Sequence, residues 1–182
     1  DPLNEHPYVG SSAKEPETSP SEQASLEKKV EDEKRDGLNY SAIYETLKRH
    51  EGVRTKAYND SEGIRTVGAG FNLERQDARE RIGSLGLNYS RVFAGTQELS
   101  DEHINTLMKK DVETAVNDAK SYVGNTHWDA LDSNAQEVIV NMSYNLGKSR
   151  LSTFVKLQEA LKSKDYEKAA HEMEDSRWYA QP

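Results

Sequence analysis

The sequence predicts a mostly helical α+β protein in two lobes, a small one built on a β-hairpin and a helical one, joined by a long helix. Three observations predict it. Apolar residues recur at helical spacing through most of the chain after residue 37. One stretch, residues 56–73, changes to a period of two around a turn. A run opened by Ser100 keeps helical spacing long enough to span about 30 Å at about 1.5 Å per residue, sufficient to join two lobes.

The first 37 residues stand apart from the rest. Leu3, Tyr8, Val9, Leu26 and Val30 are their only sizeable apolar residues, too few to offset the entropy of ordering the segment on its own. Residues 5–23 carry Pro7, Pro16 and Pro20 among Ser, Glu and Gly and read as a linker. Residues 25–35 offer a helix only Leu26 and Val30, a stripe so narrow that a solvated linker is favoured there too. The expected organisation is therefore an acidic linker or extension over residues 1–37 and a folded domain over residues 38–182.

Charge and composition exclude several functions. Residues 1–37 hold ten acidic and five basic side chains against twenty-two and nineteen in the remainder, so the net charge of −8 leaves the folded part near balance. Nucleic-acid binders need a basic face, which is missing here. The chain has no cysteine, which removes disulfide and thiolate chemistry. No run of about 18 apolar residues offers a membrane span. Neither an initiator Met nor a signal-peptide pattern stands at the start, which reads as a processed or excised product. His50, His103, His127 and His171 lack metal-ligand spacing, and no cofactor is expected.

The elements follow in order. Ser41 is the expected N-cap of a first helix that Gly52 stops, with Ile43, Leu47 and Glu51 on one face at i, i+4 and i+8. Glu51 thus continues an apolar stripe. Asn59-Asp-Ser-Glu-Gly63 then turns a hairpin whose second strand, Ile64-Arg-Thr-Val-Gly-Ala-Gly-Phe71, places Thr66 on the face of Ile64 and ends in a Gly-opened bend. A polar, Gly-containing stretch over residues 83–95 precedes the long helix, whose apolar positions are Ile104, Leu107, Met108, Val112, Ala115, Val116 and Ala119. Ser133 and Gln136 form an expected capping box before the apolar run from Val138 to Leu146, a buried central helix ending at Gly147. Helical pattern continues over residues 153–161 and 165–179.

Two carboxylates in contrasting surroundings suggest the chemistry. Glycosidic bond hydrolysis needs a protonated acid at the leaving oxygen and a second carboxylate for the developing charge or the attacking water. Glu51 ends an apolar stripe at a helix C-terminus, where burial and the negative end of the dipole both raise a carboxyl pKa. Asp60, in a polar Gly-containing turn, is expected to stay ionised. That separation is the pattern of an acid and base pair.

The spacing of Glu51, Asp60 and Thr66 resembles the Glu/Asp/Thr triad of T4-type phage lysozymes, glycoside hydrolase family 24. Leu47-Lys-Arg-His-Glu-Gly-Val-Arg54 is similar to that family's first helix, and Tyr58-Asn-Asp-Ser-Glu-Gly63 with Thr66-Val-Gly-Ala-Gly70 to its hairpin. Asn141-Met-Ser-Tyr-Asn-Leu-Gly147 resembles its core helix, and Ser176-Arg-Trp-Tyr-Ala-Gln181 its late Ser-Arg-Trp-Tyr word. The resemblance covers residues 42–182. It implies a lysozyme-like fold and a muramidase that cuts the glycan strands of bacterial peptidoglycan. Glu51 would be the general acid, Asp60 the carboxylate assisting water and Thr66 the hydroxyl holding it. Tyr144 and Asn145 match cleft positions that contact sugar, and Glu62 with Arg177 matches a salt bridge across the cleft mouth. Two further sugar-binding positions correspond to Asn72 and Glu172.

Departures carry expectations of their own. Phe71 stands where the family has a histidine paired with an aspartate of the long helix, so Asp111 is expected to lose its ion-pair partner. The chain ends at Pro182, where relatives continue through another helix, so a domain lacking its last helix and reduced in stability is expected. Trp178 and Tyr179 read as core packing in preference to a sugar platform. Two other functions share these residues, a peptidoglycan-binding or structural module of a larger tail or effector assembly, and a lytic transglycosylase. The intact triad argues against the first and the water-handling pair Asp60 and Thr66 against the second. The expected setting is the bacterial wall or periplasm, reached by an endolysin from the host cytoplasm, or by a virion tail or secreted protein attached through the N-terminal extension.

Overall fold

The computed structural model describes residues 19–24 and 37–176. Helix α1 (Tyr40–Glu51) opens the domain. Its N-cap is Asn39, not Ser41, because Asn39 holds the extended backbone a cap needs (φ −87°, ψ 91°) and its Oδ1 accepts the Ala42 N–H at 3.1 Å. Burial of Leu38 and Tyr40 draws the start of the helix toward the core, which places Ser41 inside it. Ile43 and Leu47 are buried and Glu51 half-buried, on the expected stripe.

Strands β1 (Arg54–Asn59), β2 (Arg65–Gly68) and β3 (Phe71–Asn72) form an antiparallel sheet in that order. The bend expected after β2 is a second reversal. Gly68 and Gly70, at φ 67° and 76°, take conformations that cost other residues dearly, and they return the chain so that Phe71 pairs with Val67 and Asn72 with Thr66. The stretch over residues 83–95 is not simply a loop. It holds the end of α2 (Ala78–Ser84) and all of α3 (Tyr89–Ala94), the latter capped by Asn88 Oδ1 on the Arg91 N–H and closed by a left-handed Gly95.

The long helix α4 (Asp101–Val123) begins at Ser100 as expected, and its reciprocal partner is His103, whose Nδ1 accepts the Ser100 N–H at 3.0 Å. After the short α5 (Asn125–Ala130), α6 (Ser133–Leu151) is capped by Asp132 in place of the expected Ser133 box, since Asp132 Oδ1 reaches the Asn134 N–H at 2.7 Å. Gly147 (φ 77°, ψ 165°) breaks α6 where the end was expected, but a further helical turn follows because Leu151 is buried against the core. Helices α7 (Val155–Lys162) and α8 (Tyr166–Ser176) complete the described chain.

Helix α4 serves both lobes. Its first half lies against the sheet: Ile104 packs beneath Gly68 and the Leu107 carbonyl accepts from Arg81 Nη2 at 2.9 Å. The helix makes the most extensive interhelical packing among the described residues with α6, and its end is joined to α7, where Gln158 Nε2 donates to the Tyr122 carbonyl. Helix α1 also packs on α6, so Glu51 is presented to the sheet by the helical lobe.

Residues 20–24, which begin inside the stretch 5–23 read as linker, are helical and exposed. Ser19 Oγ accepts the Glu22 N–H and Glu22 Oε2 accepts the Ser19 N–H, a capping box with Pro20 at the first helical position. The possible helix over residues 25–35, the Glu62–Arg177 pair, Trp178 and Tyr179 concern residues outside those described. Among the described residues no helix is long and apolar enough to cross a membrane.

Candidate active site

Glu51 is the last residue of α1, and the β2–β3 turn is seated on its carboxyl group. A Cβ built on Gly70 would lie 2.7 Å from Glu51 Oε2, so only a residue without a side chain allows the turn to approach this closely. That cover shields one side of the carboxyl from water. Burial raises its pKa above the ordinary glutamate value, and the neighbouring His50 opposes the rise. Glu51 therefore keeps its proton to higher pH than an exposed glutamate.

Asp60 occupies a different environment, in the turn between β1 and β2. Its Oδ1 accepts the backbone N–H groups of Glu62 at 2.9 Å and Ile64 at 2.8 Å, which fixes the side chain and matches two dipoles to a negative charge. Among the described residues no donor reaches the other oxygen, which is left to accept from water or ligand.

Pairing across the sheet sets the rest of the row. Thr66 lies opposite Tyr58 on one side and Asn72 on the other, and directly paired residues share a face. The Thr66 hydroxyl donates to the Ile64 carbonyl at 3.0 Å, so its oxygen can serve a water only as an acceptor. Tyr58 feels both carboxylates: burial first, then the charges of Glu51 and Asp60, raise its phenol pKa, while Arg54 opposes them from 4.4 Å above the ring. Tyr58 is thus a neighbour of both acids. In the sequence Tyr58 stands out only by its place on a strand two residues before Asp60.

The other expected site residues are more dispersed. Asn72 Oδ1 accepts the Glu74 N–H at 2.7 Å, and Asn145 Nδ2 donates to the Asn141 carbonyl one turn back on α6. Tyr144 reaches from α6 to the sheet, its hydroxyl donating to the Ala69 carbonyl at 3.0 Å. Glu172 is half-buried on α8, and Glu62 is exposed in the hairpin turn.

Asp111 requires a correction. It does not lose its ion pair where Phe71 replaces a histidine, because Arg75 and Arg81 take the vacant role, with Nη1 atoms 3.0 Å and 2.8 Å from the two Asp111 oxygens. Both guanidinium groups also lie against the Phe71 ring, at 4.8 Å and 5.4 Å from its centroid. An aromatic residue here suits two arginine partners as a histidine suits an aspartate.

The mostly helical fold with its small antiparallel sheet fits a class, the glycoside hydrolases of the lysozyme type. Residues 48–181 match the model of the phage lysozyme family, and the chain belongs to that family. Among its relatives, a protein named probable T4-type lysozyme 2 from Dictyostelium discoideum is 30% identical over 78% of this chain and 86% of its own length. The endolysin of Salmonella phage P22 is 31% identical over 68% of this chain and 73% of its own. The pre-baseplate central spike protein Gp5 of Enterobacteria phage T4 is 32% identical over 77% of this chain, a match that spans 25% of that longer protein.

Proposed function

We propose that the chain is a muramidase that hydrolyses the β-1,4 bond between N-acetylmuramic acid and N-acetylglucosamine with inversion at the anomeric carbon. One observation carries the reading: the two acids are held in opposite electrostatic surroundings, Glu51 shielded beneath the Gly68–Gly70 turn and Asp60 fixed by two backbone N–H groups. Glu51 protonates the leaving oxygen. As the sugar acquires oxocarbenium character, a water attacks from the opposite face. Asp60 and the Thr66 oxygen are both acceptors, so each takes one hydrogen of that water and its lone pair is left for the anomeric carbon. Asp60 receives the proton. Asn72, Asn145 and Glu172 are assigned to sugar contacts, and Glu62 with Arg177 to the cleft mouth.

The similarity to a tail-spike protein supports a second setting besides a free endolysin, in which this domain is carried by a larger assembly through residues 1–37. Product analysis tests the chemistry. Purified walls digested by the chain and followed by NMR from the first turnovers are expected to yield reducing muramic acid ends of α configuration. Anhydro-muramic ends would identify a transglycosylase, β ends a retaining hydrolase, and binding without cleavage a wall-binding module.

A further inference from the structure

The turn that covers Glu51 is itself held from behind. Its three residues offer little of their own to fix it, since Gly68 and Gly70 lack side chains and Ala69 has one methyl group. Two contacts supply the constraint. On one side Arg75 and Arg81, tied to Asp111 of α4, lie against Phe71, the residue that follows Gly70. Beside that cluster, the Tyr144 hydroxyl of α6 donates to the Ala69 carbonyl at 3.0 Å, at the centre of the turn. The space behind the turn is a narrow cleft lined by Phe71, Ile104, Leu107, Met108, Asp111 and Tyr144, with no cavity of water size within it. Ala69 is itself buried, so its carbonyl loses a side-chain partner inside the protein if the tyrosine hydroxyl is removed.

We propose that Tyr144 is a positioning residue for the proton donor: it pins the Gly68–Gly70 turn onto the Glu51 carboxyl and so holds in place the cover that shields that acid. The inference rests on Glu51 being the donor, as proposed above. It gives Tyr144 a role distinct from a sugar contact, for its hydroxyl is already engaged within the protein. The charge that acts on Glu51 is that of His50 on its own helix, and the Glu51 charge acts in turn on Tyr58 of β1 and Tyr144 of α6. Those acting on Tyr144 are Glu51 and the cluster of Asp111, Arg75 and Arg81. Replacing the tyrosine by phenylalanine leaves all the charged members in place.

The test is Tyr144→Phe in the full chain. Phenylalanine fills nearly the same volume, and an unchanged far-UV circular dichroism spectrum checks the fold. Two quantities are read: the Glu51 side-chain carboxyl titration by ¹³C NMR, and kcat and KM on soluble glycan fragments across pH. With the turn released, water reaches Glu51, its titration midpoint moves to lower pH, and the alkaline limb of the kcat profile moves with it. At neutral pH kcat falls about tenfold, in keeping with the cost of a small misplacement near reacting groups, and KM stays within about twofold. An unmoved Glu51 midpoint overturns the proposal, and so does a raised KM at unchanged kcat, which is the behaviour of a sugar contact. A midpoint that falls while kcat holds keeps Tyr144 as the support of Glu51 and counts instead against Glu51 as the proton donor.

Discussion

A carboxyl whose pKa is raised by burial binds its proton more tightly in the folded chain than in the unfolded one, and the difference appears in stability. For Glu51 the folded value lies above the unfolded value, so the ionised group costs nothing below the unfolded pKa of about 4.3 and destabilises progressively as pH rises through the folded pKa. The Glu51→Gln variant is therefore expected to be more stable than the parent at neutral pH, with the gap closing below about pH 4. Denaturant titrations at several pH values check this, and a gap independent of pH would contradict it. Gly70→Ala is expected to be the most damaging change nearby, because it combines a φ of 76° with a Cβ 2.7 Å from Glu51 Oε2. Activity on walls should fall by a larger factor than in Tyr144→Phe. At this scale the half-burial of Glu51 was legible in the stripe it shares with Ile43 and Leu47, and the position of Asp60 in its turn in the word Asn59-Asp-Ser-Glu-Gly63. It could not reveal Gly70 or Tyr144 as neighbours of Glu51, because their contacts join elements remote in sequence.

Short elements owe their form to local competition. Asn39 displaces Ser41 as cap, and Asp132 displaces Ser133, because a cap is chosen by which backbone is extended once the flanking apolar residues are buried. Strand β3 has two residues, too few for a period to show, and only the positive φ of Gly68 and Gly70 creates it. The long helices were legible because a stripe repeated over several turns outweighs any single choice. The join between α2 and α4 was not, for Arg75 and Arg81 look like surface cations until Asp111 is placed between them. Arg81 and Asp111 have side chains only 6% and 16% exposed. Asp111→Asn would remove the carboxylate between two guanidinium groups, leaving Arg75 with Asp77 at 2.8 Å and Arg81 with the same Asp77 at 3.5 Å, and a loss of about 2 kcal/mol is expected, as for hydrogen bonds to charged groups. Thermal unfolding measures it, and a change below about 1 kcal/mol would place the pair among the weak surface bridges.

For the molecule as a whole, α4 is the element on which the sheet and the helical cluster are both assembled, and its length and apolar spacing announced that arrangement. Residues 1–37 are proposed to lie outside the catalytic domain. The buried Leu38 and the capping Asn39 set how far a truncation can go. A chain beginning at Leu38 is expected to retain wall-cleaving activity within about twofold, whereas a large loss would make the segment part of the fold. The charge pattern of that segment was readable from composition, but its helical turn over residues 20–24 depended on a Ser19–Glu22 box within a Pro- and Ser-rich stretch. Across both lobes, the function proposed for the chain reduces to one proton held by one side chain. The most direct measurement is the initial rate of glycan cleavage by Glu51→Gln, with circular dichroism and glycan binding confirming an intact fold and cleft. Glutamine keeps the shape of the side chain and has no proton to give, so the rate is expected to fall by at least the factor of about 10² to 10⁴ that general acid catalysis supplies. A variant that cleaves walls at the parent rate would contradict the account.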